Sequence, residues 1–312
     1  MRIIFAGTPA NAAQSLRTLV SSGHDVVAAL TREDAPVGRK RVVTESAVAS
    51  VSRELGIETI KANTIGADVR SLLSKYRADI GVVVAYGVLF DAKTLNLFDF
   101  GWVNLHYSLL PAWRGAAPVQ AALLSGANRT GVSLFQLDEG MDTGPIWNSV
   151  QAEIHPRENA KDLLARLSLL GDSLLLETLP QIFGKVIQPI QQSGLASYAK
   201  KLSRDQVKLD FSNSAISLER VVRAANPEPI AWCMCNGNQI QVLEAFALGN
   251  TNWNELGSTS APIGTLFKEK NRVMVQAGMG TLLEIAQVRP SGKSQMSADD
   301  WYRGIDPESF LT

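Results

Sequence analysis

Three side chains in this chain of 312 residues have types and surroundings suited to acyl-type transfer: Asn104, His106 and Asp142. Val103-Asn104-Leu105-His106 ends a short β-rich run, and residues i and i+2 of a strand share one face. An amide NH₂ and an imidazole N–H aimed at one point make a place for an oxygen that gains negative charge. Asp138-Glu139-Gly140-Met141-Asp142-Thr143-Gly144-Pro145 lies between two further inferred strands, and its glycines permit tight turns that would deliver Asp142 to His106. A carboxylate there favours the charged imidazole and fixes the orientation of the ring. Ser108 to Pro118 forms a long, Pro-stiffened apolar loop, a wall suited to a flat aromatic cofactor. From spacing alone, acyl-type transfer and a plain small-ligand site both stay open.

Other motifs fail on their own residues. The first strand–turn reads Gly7-Thr8-Pro9-Ala10-Asn11-Ala12, without the second and third glycines of a dinucleotide fingerprint, and Pro9 blocks the backbone approach to a pyrophosphate. Ser291-Gly292-Lys293-Ser294 resembles the end of a P-loop, but Gln287 stands where the first glycine is needed. Gly-x-Ser-x-Gly is absent, which removes a nucleophile elbow. Cys233 and Cys235 point to one face of a strand, which suits packing and neither a bridge nor a zinc set. His24 and His155 read as surface residues.

The elements that must position the candidate residues alternate. Arg2–Ala6, Asp25–Thr31, Ile80–Ala85, Trp102–Leu105 and Val132–Leu137 read as strands, with helices between them. Continuous apolarity such as Ile-Gly-Val-Val-Val-Ala marks a strand covered on both faces, so the expected architecture is α/β with a doubly wound, mostly parallel sheet. A helix near Glu158–Phe183 carries a core stripe of Leu163, Leu164, Leu167, Leu170, Leu174 and Leu175. Gly184–Gly194 loses all apolar period and starts a linker. Beyond it come one helix (Ser214–Ala225) and short strands at Ala231–Cys235, Gln239–Ala245, Gly264–Phe267, Arg272–Gln276 and Leu282–Ile285, the pattern of a small β-barrel.

Bulk properties bound the partners. The length suggests two domains. Thirty basic and thirty acidic residues leave no net charge, so binding to a polyanion must rest on local clusters. The N-terminal apolar run is broken by Gly7 and Pro9, and no run is long enough for a membrane span, so the expected location is the cytoplasm.

Asn104 to Gln120 (Asn-Leu-His-Tyr-Ser-Leu-Leu-Pro-Ala-Trp-Arg-Gly-Ala-Ala-Pro-Val-Gln) resembles the signature of 10-formyltetrahydrofolate-dependent formyltransferases, and Asp138 to Gly144 is similar to their second motif. The resemblance runs nearly end to end with members that formylate methionyl initiator tRNA. Thr31 to Val48 resembles their inserted loop toward the tRNA acceptor end. Tyr198–Ser203, Asn226–Trp232 and Pro290–Met296 resemble their C-terminal, oligonucleotide-binding (OB)-type barrel. It implies a Rossmann-like catalytic domain over 1–184, a linker over 185–204 and an OB-like tRNA-binding domain over 205–312. It further implies Asn104, His106 and Asp142 as catalytic residues and Ser108, Leu109, Leu110 and Pro111 at the folate. Asp142 would raise the pKa of His106, keeping it a donor near neutrality that acts with Asn104 on the developing oxyanion, and would assist proton removal from the amine. Contacts to tRNA would come from Arg39, Lys40 and Arg41 in a flexible loop and from Lys200 and Lys201.

The implied cosubstrate is 10-formyltetrahydrofolate, with no metal or nucleotide cofactor, and the implied state is a monomer. Residues 196–312 hold 12 Lys/Arg and 12 Asp/Glu, so a barrel that grips RNA must segregate them by face. Two positions depart from the family: Tyr107 where a small residue is usual, and Glu228 where an aromatic is frequent. A formyltransferase acting on a nucleotide-sugar or another small amine is the alternative reading, and a catalytically silent RNA-binding protein is a more distant one.

Overall fold

The computed structural model describes residues 1–38, 40–248, 261–306 and 309–312. The chain forms two compact units, the first made of Met1–Pro118, Arg129–Glu153 and Leu164–Ala199, the second of Val119–Asn128, Ile154–Leu163 and Lys200–Thr312.

Chain order begins with β1 (Arg2–Gly7), α1 (Ala10–Ser21), β2 (Asp25–Thr31), β3 (Ala35–Val37), β4 (Val42–Thr44), α2 (Ala47–Glu54) and β5 (Thr59–Lys61). It continues with α3 (Ala67–Lys75), β6 (Ile80–Val84), α4 (Ala92–Leu95), β7 (Trp102–His106), β8 (Arg114–Gly115) and α5 (Pro118–Ser125). β9 (Arg129–Gln136), β10 (Ile146–Glu153), α6 (Ala160–Phe183) and β11 (Tyr198–Ala199) follow.

Seven strands form one sheet in the order β10-β9-β7-β6-β1-β2-β5. The five from β7 to β5 are parallel, and β9 and β10 are antiparallel additions at one edge. This is the expected mostly parallel, Rossmann-like sheet. β6 is buried at all of its positions, as its unbroken apolar run demands. Gly81 is required there: a Cβ would stand 1.9 Å from the Trp102 ring. The space it leaves lets the indole fill the core, edge-on to Phe90 at 4.7 Å, with Nε1–H donating to the Thr94 carbonyl at 2.8 Å. In α6, Leu163, Leu167, Leu174 and Leu175 are buried and Leu164 and Leu170 half-buried. Gly171 brings the helix down on β7, since a Cβ would meet Leu105 at 2.6 Å.

Two segments carry backbone pairing that the sequence pattern does not show. Within 31–48 a hairpin forms, β3 against β4, with Val37, Val42 and Val43 all exposed and Lys40 and Arg41 in its turn. Its short strands can pair because the turn residue Arg41 adopts positive φ and its N–H donates to the Gly38 carbonyl. The stretch after α6, which lacks apolar period, nevertheless bonds into the first unit through Ile190 and β11. Backbone pairing needs no side-chain period, so the sequence pattern hides it.

The second unit contains α7 (Ala215–Ala225), β12 (Trp232–Cys235), β13 (Asn238–Ala247), β14 (Leu266–Glu269), β15 (Arg272–Gln276), β16 (Leu282–Pro290), β17 (Met296–Ser297) and α8 (Ala298–Tyr302). The strands form an antiparallel sheet in the order β12-β13-β16-β15-β14, with β17 beside β16. The sheet curls, and the last residues join its edges. Met234 and Thr312 exchange backbone bonds at 2.8 and 2.9 Å, and the Leu311 N–H donates to the Gly264 carbonyl at 2.9 Å. The curled interior is filled by Val242, Val273, Val275, Leu283 and Val288 with Leu218 and Val222 of α7. Cys233 and Cys235 lie buried as free thiols, and burial pushes Cys233 up to about 12.

Candidate active site

β7 delivers the first two candidate residues. Asn104 and His106 lie two apart on one face at its carboxyl end, where open α/β sheets place ligands. The His106 ring is buried, hydrogen-bonded at one nitrogen and faced by a carboxylate at the other. Nε2–H donates to the Trp113 carbonyl at 2.9 Å, and Nδ1 stands 3.6 Å from Asp142 Oδ2. That second distance is too long for a direct hydrogen bond. Asn104 Oδ1 is buried and has no hydrogen-bond partner among the described residues. A buried orphan acceptor costs free energy unless a ligand satisfies it.

Asp142 arrives by a longer route. β9 runs antiparallel to β7 with Gln136 opposite Val103, so the chain leaves β9 three residues short of His106. At the rise of a strand that gap is about 10 Å, and the 137–145 loop must fold back to cover it. Asp142 has positive φ (54°), a backbone state that Asp tolerates better than most residues. Its Oδ2 accepts the Gly115 N–H at 2.6 Å. Gly115 itself has φ 115°, and a Cβ there would press on the Ala199 carbonyl oxygen at 2.8 Å.

The ionisation of His106 differs from expectation. Burial lowers its pKa below the ordinary histidine value, and the opposing pull of Asp142 and of the Trp113 carbonyl is smaller. The ring is therefore neutral near pH 7. It remains a donor, because the Trp113 carbonyl fixes the single proton on Nε2.

A cavity of about 450 Å³ opens over these residues. Its apolar wall comes from Val83, Val88, Leu89, Phe90, Leu137 and Met141, and Asn104, His106 and Asp142 reach it together with Tyr86, Tyr107, Asp138 and Glu139. Leu89 and Met141 are 77% and 53% exposed, apolar rim residues that a flat heterocycle would cover. The size, the apolar lining and the orphaned amide oxygen fit a folate head group. Ser108, Leu109, Leu110 and Pro111 do not line this cavity. Their polar groups are turned inward: Ser108 Oγ donates to the Ala112 carbonyl, and Ser133 Oγ accepts the Leu110 N–H while donating to the Ser108 carbonyl. The wall expected from 108–118 is supplied only by Gly115, Ala116 and Pro118. Tyr107 is buried, its hydroxyl accepting from Asn11 Nδ2 at 3.0 Å, and burial raises its pKa.

Of the cations expected at RNA, Arg39 lies outside the described residues. Lys40, Arg41, Lys200 and Lys201 are exposed, and Glu228 is exposed as well. Among the described residues no three His, Cys, Asp or Glu side chains gather as a metal would require, and no helix is long and apolar enough to cross a membrane.

Sequence reasoning missed the 85–90 segment and the residues behind the site. Ala85-Tyr86-Gly87-Val88-Leu89-Phe90 follows the carboxyl end of β6, so the rule that singled out His106 would have found it. Trp113, Arg114 and Gln192 carry no such signal, since their part is played by hydrogen bonds to loops distant in sequence.

Residues 1–179 match the model of the formyl transferase family and residues 201–306 that of its C-terminal domain. The chain is 44% identical to the methionyl-tRNA formyltransferase of Paenarthrobacter aurescens, over 98% of this chain and 97% of that one. It is 40% identical to the methionyl-tRNA formyltransferase of Corynebacterium glutamicum (strain R), again over 98% and 97%. An N-formyltransferase from Helicobacter canadensis, solved with folinic acid and dTDP-3-aminofucose, shares the fold at TM-score 0.66 and 17% identity, covering 91% of this chain and 98% of that one. The chain belongs to the formyl transferase family.

Proposed function

We propose that the protein transfers the formyl group of 10-formyltetrahydrofolate to the α-amine of methionyl initiator tRNA, giving N-formylmethionyl-tRNA for translation initiation. The observation that carries this reading is the meeting of Asn104, His106 and Asp142 around one apolar cavity. Full-length similarity to methionyl-tRNA formyltransferases supplies the acceptor. The enzyme works in the cytoplasm as a monomer. Residues 1–184 carry catalysis, 205–312 hold RNA and 185–204 connect them.

The folate, when bound, supplies an activated formyl carbon. Asn104 Nδ2 and His106 Nε2–H donate to the formyl oxygen as it gains negative charge, and one such donor is worth roughly 10² to 10³ in rate. The Nε2–H gives up the Trp113 carbonyl to do so, since catalytic hydrogen bonds tighten only with substrate present. The α-amine attacks the formyl carbon, Asp142 draws off its proton through a water, and the bond from the formyl carbon to the folate nitrogen then breaks, that nitrogen taking up a proton as it leaves. Asp142 offsets the positive charge that appears on the attacking amine. No side chain becomes covalently attached to the formyl group. Ser108 to Pro111 act from behind, holding the loop that carries the Trp113 carbonyl. Lys40, Arg41, Lys200 and Lys201, together with Arg39, meet the phosphates of the RNA.

The test is acceptor choice. The purified protein, given 10-formyltetrahydrofolate, is expected to formylate methionyl initiator tRNA and to leave amino-sugar nucleotides unchanged. Formylation of the sugar nucleotide in preference to the tRNA would overturn the proposal.

A further inference from the structure

Both fixed ends of the His106 ring trace back to a single stretch of chain, residues 190–199. On the Nε2 side, the Trp113 carbonyl accepts the ring proton, and Trp113 is a bulky residue with φ 60°. A large side chain in that backbone state needs outside support. It has it: the Trp113 N–H donates to Ser197 Oγ at 2.9 Å, and the Arg114 N–H to the Ser197 carbonyl at 2.9 Å. On the Nδ1 side, the carboxylate of Asp142 sits on a loop that the sheet does not place. There the Gln192 amide reaches across. Its Nε2 donates to the Asp142 carbonyl at 2.9 Å and to the Gly144 carbonyl at 2.8 Å, while its Oε1 accepts from Arg114 Nε and Nη2 at 3.1 and 2.7 Å. The ring closes when the Gly115 N–H, next to Arg114, donates to Asp142 Oδ2. Ile190 pairs with Ile146 just beyond the same loop by two backbone bonds of 2.8 Å.

We infer that Gln192 is a positioning residue for the transfer reaction, one that sets the separation of Asp142 from His106 by clamping the 142–144 loop to Arg114. The inference rests on the proposed roles of His106 and Asp142. All four hydrogen-bonding sites that matter are used: two N–H bonds to loop carbonyls and one oxygen shared by two guanidinium N–H groups. Gln192 does not line the cavity. Freed from the clamp, Asp142 keeps its bond to Gly115 but its backbone is no longer tied at the carbonyl. A displacement of about 1 Å at a reacting group costs on the order of 10²-fold in rate.

The experiment compares Gln192→Ala, Gln192→Glu and a control, Asn148→Ala, which removes a side-chain bond to Thr178 in the same unit. Steady-state kcat and KM are measured for 10-formyltetrahydrofolate and for charged tRNA, each alone and in an Asp142→Asn background. Gln192→Ala and Gln192→Glu are expected to lose roughly 10- to 100-fold in kcat, with KM for either substrate within about threefold. Asn148→Ala is expected to match the wild type. Gln192→Glu keeps the bond to Arg114 but sets an oxygen, in place of the two donors, against the Asp142 and Gly144 carbonyls, so it opens the clamp at the loop and carries the test if the alanine variant does not fold. In the Asp142→Asn background either change should add little, because both act through one group. A Gln192→Glu enzyme with wild-type kcat overturns the inference, and so does an undiminished loss in the Asp142→Asn background. Should Asp142→Asn itself retain turnover, the assignment of the site falls, and this inference with it. Should that variant be inactive while both Gln192 variants turn over normally, only the clamp is wrong.

Discussion

Replacing Asp142 by Asn removes one charge and almost no volume. The amide oxygen can still accept the Gly115 N–H that now meets Oδ2 at 2.6 Å, so the loop keeps its anchor. What disappears is the carboxylate charge 3.6 Å from Nδ1 of a buried imidazole. At an effective dielectric of about 20, two unit charges at that distance interact by about 4 to 5 kcal/mol. His106 is neutral in the resting enzyme, so little of this energy is felt before reaction. It appears when the attacking amine becomes positive beside the carboxylate. The loss therefore falls on the barrier, and each 1.4 kcal/mol is tenfold, giving about 10³-fold in kcat. Single-turnover formylation of charged tRNA reads that number directly, and a thermal melt beside it checks that the fold is intact, with a shift of no more than about 3 °C expected. A folded Asp142→Asn enzyme whose turnover stays within tenfold of the wild type would refute the electrostatic argument.

Three other outcomes are expected. Because burial depresses the His106 pKa, between the folded value and about 6.5 the unfolded chain binds a proton that the folded chain refuses, so stability contributed by the neutral ring is lost as pH falls below about 6.5 and is full above it. Denaturant titrations should therefore find His106→Asn gaining on the wild type between pH 7.5 and pH 5.5, and an unchanged difference contradicts the buried neutral ring. Leu89→Asp sets a charge on the exposed apolar rim and should raise KM for the folate about tenfold through lost burial, with the melting temperature unmoved; an unaltered KM would take the folate elsewhere. Neutralising Lys200 and Lys201 together should weaken tRNA binding and flatten its dependence on log salt by roughly one unit for each phosphate no longer neutralised, whereas an unchanged slope would remove both from the RNA surface.

Much of this was legible in the residues because two periodicities wrote it there. Unbroken apolar runs gave β1, β2 and β6 nearly to the residue, and the leucine repeat gave α6. Asn104 and His106 were visible because the end of a strand both orders side chains and opens toward ligand. The antiparallel edge was not, since direction is set by pairing and not by apolar pattern. An apolar wall was sought in Ser108–Pro118, yet buried hydroxyl bonds from Ser108 and Ser133 show that much of that loop packs inward, and the cavity takes much of its apolar lining from 85–90. Gln192 was hidden for a different reason: one of several glutamines in a segment without period, it acquires meaning only from the carbonyls it meets.

The most direct measurement is a crystal structure of the protein with 5-formyltetrahydrofolate bound. The account predicts the pterin ring between Leu89, Phe90 and Met141, with the formyl-bearing end roughly 3 Å from the Asn104 amide and facing the gap between His106 and Asp142. A folate held with its formyl group turned away from Asn104, or bound outside this cavity, would contradict it.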